Sequence, residues 1–152
     1  MNYTSLSSDI IQSMQQTKVW TPECPVALED LKLLQLKHYD FHNKIKSGQM
    51  VVNEKIADVV LSIFQELFEL EFGVEKIIPI DHYQGSDELS MMDNNSSCFN
   101  FRKIAGTDRL SSHSYGLAID INPVQNPYIR IKEGATIIEP TAGLAFLNRH
   151  NL

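Results

Sequence analysis

The stretch Ser111-Ser112-His113-Ser114-Tyr115-Gly116-Leu117-Ala118-Ile119-Asp120 places an imidazole and a carboxylate seven residues apart in an apolar setting. Side chains alternate along a strand, so an unbroken strand would put His113 and Asp120 on opposite faces. Gly116 lies between them and allows the bend that would let both converge. Asp120 sits between Ile119 and Ile121. A bare carboxylate is costly to bury, so Asp120 must be paired, coordinated or on an open face. Imidazole nitrogen and carboxylate oxygen are both zinc donors, and a catalytic zinc uses three protein ligands plus water. Taken alone, a His and an Asp seven apart are weak evidence for a metal site, and a purely structural role is the commoner reading.

Working outward, residues 117–121 and 99–104 read as strands flanking the loop with His113. Residues 84–97 are polar and read as one long loop, a feature that in a small domain is usually functional or mobile. Lys76 to Asp81 reads as a strand, with Pro79 marking an edge or an end. The clearest helix spans about 54–72. Asn53 is its N-cap, Ile56, Val60, Ile63, Phe64, Leu67 and Phe68 form one face, and Gly73 is its terminal glycine. Residues 34–41 and 50–52 read as two strands that could pair as a hairpin. Ile137-Ile138 reads as a last short strand. Residues 1–21 read as an N-terminal tail with a weak helical stripe at Ile10, Ile11 and Met14, ahead of a domain over 22–152. Few helices and several short strands point to an α+β fold.

The chain has 152 residues, 43% hydrophobic and 21% charged, the balance of one globular domain. A net charge of -6 without a basic cluster disfavours nucleic-acid binding. Apolar runs are too short to span a membrane. The first twenty residues have neither the charged nor the apolar region of a secretory signal. Cys24 and Cys98 are the only cysteines. They are read as unrelated thiols, or as one disulfide if the protein is exported.

Several ordered motifs resemble those of the D-alanyl-D-alanine carboxypeptidase and L-alanyl-D-glutamate endopeptidase family of zinc peptidases. Residues 111–120 are similar to its S-x-H-x-x-G-x-A-x-D signature. Ser90-Met91, Asn94 to Ser97 and Phe99-Asn100-Phe101-Arg102 resemble the S-M, N-N-T-S and F-N-x-R elements of its vancomycin-resistance-like branch. Asp120 to Pro123 and Asn126-Pro127-Tyr128 continue the likeness, as do Cys24-Pro25, Tyr39-Asp40-Phe41 and Gly48 to Asn53 upstream. The resemblance spans roughly residues 22 to 143.

The resemblance implies a small, mainly antiparallel sheet with helices on one side, as in the hedgehog-like fold. It implies zinc as cofactor, peptidoglycan stem peptides as substrate, and a secreted or cell-envelope location. His113 and Asp120 match two zinc ligands. Arg102 matches the arginine that holds or polarises the scissile carbonyl, and Ser97 lies where substrate backbone or carboxylate binds. The family completes its site with an acidic base in a tryptophan-containing stretch, followed by a third ligand histidine. Here the only tryptophan is Trp20, and the chain reads Arg149-His150-Asn151-Leu152 at its end. Three expectations follow: a shortened chain, a non-catalytic relative acting as a cell-wall or ligand-binding module, or replacement of the ligand by His150 or His82. His38 and His42, four apart in or just after the first strand, fit a metal pair by spacing, with partly exposed strand histidines the commoner reading.

Overall fold

The computed structural model describes residues 1–149. A three-stranded antiparallel sheet forms its centre, in the order β1 (Asn2–Ser5), β2 (Leu31–Tyr39), β3 (Ile45–Asn53). The expected hairpin is present, with Leu33 opposite Val51 and Leu34 opposite Met50. The central strand β2 is buried on both faces, which explains its nearly continuous leucines better than simple alternation does. Leu34 and Leu36 pack with Met50, Val52 and Phe64 on one side; Leu31 and Leu33 pack with Val51, Met14 and Phe99 on the other.

Helix α2 (Glu54–Glu69) covers the first face through Ala57, Val60 and Phe64. Asn53 caps it as expected, its side-chain oxygen accepting from the Lys55 N–H at 3.0 Å. Full burial of Phe64 contributes roughly 2–3 kcal/mol. Ile63, expected in the buried stripe, is half exposed. The helix end also differs from expectation. Glu71, not Gly73, takes the left-handed conformation, at φ 52°. Gly73 instead lies beneath the Phe41 ring, where a Cβ would approach Cδ1 to 3.1 Å.

Residues 1–21 are not a tail in the structure. Strand β1 pairs with β2, and helix α1 (Ser8–Gln16) buries Met14 in the second face of the sheet. The weak stripe was a real amphipathic helix, and the pairing partner that orders β1 lies thirty residues away, beyond any local signal. Four other expected elements change. The strand at 76–81 shortens to β4 (Lys76–Ile77), followed by a 3-10 turn at Ile80–Tyr83. The long loop holds helix α3 (Asp87–Met92), capped by Ser86, and strand β5 (Asn95–Ser96), which pairs in parallel with β4. Residues 99–104 and 117–121 are extended without forming strands; only the isolated bridges Lys103–Leu110 and Ser97–Asp120 occur there. The last strand at 137–138 lies within β7 (Ala135–Glu139), which pairs with β6 (Tyr128–Lys132) in a separate hairpin. Taken together, the fold is α+β with an antiparallel central sheet.

Candidate metal centre and its surroundings

Buried amides fasten the irregular segment 95–122 to this scaffold. The Asn95 side chain accepts from the Ile78 N–H and donates to the Ile78 carbonyl, both at 2.8 Å, and also donates to Ser90. Asn122 does the same across Gly73 and Glu75, while its own N–H donates to Ser96 Oγ. Such networks stand in for a regular ladder: the Asn95 and Asn122 amides satisfy backbone groups of Gly73, Glu75 and Ile78, and the ends of the segment are held without long strands.

The turn that carries His113 is a 3-10 turn, Ser112–Tyr115, capped by the Ser111 hydroxyl. Gly116 closes it at φ 63°, and its carbonyl accepts from the Asn53 N–H at 3.0 Å. The buried Ser114 hydroxyl bonds both the N–H and the carbonyl of Arg102, at 3.0 and 2.8 Å. Ser97 and Asp120 exchange two backbone hydrogen bonds. The turn, Arg102, Ser97 and Asp120 are therefore set by one short-range backbone lattice.

His113 Nδ1 lies 2.7 Å from the Cys98 carbonyl, and His113 Nε2 lies 3.2 Å from Asp120 Oδ2. A carbonyl only accepts, so Nδ1 carries its proton and the neutral ring turns the Nε2 lone pair toward Asp120. Two lone-pair atoms at this distance require a cation between them or a proton on the ring. Burial disfavours the imidazolium, but the hydrogen bond and charge of Asp120, with help from Cys98, outweigh it and raise the His113 pKa; Arg102 opposes. Tetrahedral zinc with ordinary Zn–N and Zn–O lengths separates an imidazole nitrogen from a carboxylate oxygen by about 3.3 Å. The observed spacing fits that edge, and the carbonyl behind Nδ1 is the usual outer partner of a ligating histidine. Zinc thus fits these two donors. No group of three His, Cys, Asp or Glu able to hold a metal forms among the described residues.

Arg102 reaches the same neighbourhood: its charge is felt at His113. Its Nη2 lies 2.7 Å from Asp87 Oδ2, while its Nε is buried without a hydrogen-bond partner. The loop expected over 84–97 hides Asp87, although Ser86 followed by Asp87 and Glu88 is a helix-start pattern. Burial raises the Asp87 pKa, Arg102 and His113 pull it back, and Asp120 pushes it up. One cluster therefore contains Asp87, Arg102, His113 and Asp120, with Ser97 adjoining Asp120.

The other described histidines stand apart from one another. His38 is buried on β2, its Nδ1 against the Val74 carbonyl, while His42 is exposed in the following turn and shares no face with it. The His38–His42 pair is thus not formed. His82 is exposed in the 3-10 turn Ile80–Tyr83, and His150 lies outside the described residues. Cys24 and Cys98 are free thiols.

No curated protein and no solved structure matches the chain. A family model described as D-alanyl-D-alanine carboxypeptidase matches residues 105–150, the segment with His113 and Asp120. Over that segment, the chain is similar to a peptidase family whose members are generally zinc-dependent.

Proposed function

We propose that the chain carries out zinc-dependent hydrolysis of peptide bonds in peptidoglycan stem peptides, of the D,D-carboxypeptidase or L-Ala-D-Glu endopeptidase type. One observation carries the reading: His113 Nε2 and Asp120 Oδ2 stand 3.2 Å apart, with the opposite ring nitrogen tied to a carbonyl. In this reading His113 and Asp120 are two of the zinc ligands. Zinc, when bound, supplies Lewis acidity to the scissile carbonyl and to water. Arg102 places a fixed cation where negative charge grows on the carbonyl oxygen. Ser97 offers its side chain, beside Asp120, to the substrate backbone or terminal carboxylate. No helix among the described residues is long and apolar enough to cross a membrane, and the substrate class implies action at the cell wall.

Zinc analysis after exhaustive dialysis, together with amino-group release from purified peptidoglycan, tests this. One retained zinc per chain and new amino termini support it. Absence of both sinks it, and peptidoglycan pull-down without cleavage would instead make the chain a non-catalytic cell-wall module.

A further inference from the structure

Among the described residues Arg102 is the permanent cation of the cluster, and its long side chain has several torsions that packing must fix. Its backbone is held by Ser114 and Ser111, yet those bonds leave the guanidinium itself free to swing. Asp87 supplies the missing constraint. It opens helix α3, which Ser86 caps, and its Oδ2 meets Arg102 Nη2 at 2.7 Å. Both side chains are about three-quarters buried, at 28% and 23% exposure, so water competes weakly for the contact. Guanidinium is a planar fork with five donors. Holding one terminal nitrogen on a carboxylate therefore limits the directions the rest can take.

From this geometry we infer that Asp87 is the positioning residue for Arg102, holding its guanidinium toward the His113–Asp120 pair. Asp87 also adds a second carboxylate beside Asp120 to balance the Arg102 cation next to His113. The inference deepens the proposed hydrolase reading and rests on it for its catalytic consequence. Helix α3 then has a role in the site: it carries the carboxylate that aims the cation.

The test uses the full chain with Asp87→Asn and Asp87→Glu. With a stem-peptide substrate, Asp87→Asn should lower kcat by on the order of 10- to 100-fold. KM and zinc content should stay near wild type, and Asp87→Glu should recover part of the loss. A second readout does not need activity. The nitrogen-15 resonances of the Arg102 guanidinium, assigned by their loss in Arg102→Lys, should be separate and slowly exchanging in the wild type. They should collapse in Asp87→Asn and return in Asp87→Glu. An unchanged spectrum and unchanged kcat in Asp87→Asn would overturn the inference. If the wild type cuts no stem peptide, the hydrolase reading falls, and the Arg102 spectrum alone decides whether Asp87 holds it.

Discussion

Gly116 and Asn53 meet backbone to backbone: a Cβ on Gly116 would come within 2.8 Å of the Asn53 nitrogen. The same two residues are joined by the Asn53 N–H donating to the Gly116 carbonyl, while the Asn53 amide donates to Tyr115. The cap of α2 and the turn with His113 are thus one joint. Gly116→Ala adds a left-handed penalty of about 1–2 kcal/mol and a backbone clash that forces the joint apart. A loss on the order of 2–4 kcal/mol in urea denaturation is expected. Gly134→Ala is the control. Gly134 has φ 80° with nothing within 4 Å of its Cβ position, so only the smaller conformational penalty applies.

Ser114 lies wholly inside, and its hydroxyl serves both backbone groups of Arg102. Ser114→Ala leaves the Arg102 N–H without its partner, while the Arg102 carbonyl keeps the Ser111 N–H; losing one such partner costs about 1–3 kcal/mol. Chemical denaturation should show that loss. Cys24, whose thiol approaches the Ser114 carbonyl at 3.8 Å, provides a comparison, because Cys24→Ala removes only a weak donor and should cost less.

The pH response of the β2–β3 hairpin is set by Asp40. Its Oδ1 accepts from the Lys44 and His42 N–H groups at 2.9 Å, and Lys46 lies 3.7 Å from Oδ2. The Lys44 N–H lowers the Asp40 pKa most; the His42 N–H and the nearby positive charges add to this against burial. A depressed carboxylate pKa means the unfolded chain binds the proton more readily. The stabilisation is therefore present above the unfolded value near 4 and is lost as pH falls through the folded value. Asp40→Asn should destabilise the protein at neutral pH. The difference from wild type should vanish in acid, as followed by thermal melts across pH.

The sequence disclosed the parts of this molecule whose causes are local. The α2 stripe and its Asn53 cap, the β2–β3 pairing and the Gly116 bend all follow from spacing within a few residues. Strand β1 did not, because its partner is β2, and polar residues 2–5 give no alternation to read. Residues 99–104 and 117–121 look like strands since their apolar spacing matches, yet scattered backbone bonds to Val51, Val19, His113 and Ser97, with the Ser114 hydroxyl on Arg102, hold them instead of a ladder. At the site, His113 and Asp120 were legible from a motif. Asp87 was not: its meaning lies in Arg102, fifteen residues on, and only the packing of α3 brings them together.

Asp120 separates a metal site from an ion pair. Its side chain is 41% exposed, and its visible partner is His113. As a surface-facing pair, the contact contributes about 0–1 kcal/mol once solvent screening is counted. Asp120→Ala should therefore leave the melting transition of the metal-free protein almost unchanged. If the carboxylate is a zinc ligand, its loss removes a direct bond to the ion. Affinity should then fall by more than the 10- to 100-fold, roughly, that outer partners contribute. Chelator competition on wild type and variant measures this directly. A variant that retains zinc as tightly as wild type would reduce His113–Asp120 to an ion pair. A variant that melts normally but holds no zinc would assign the carboxylate to the metal, because fold and ligand would then have been lost independently.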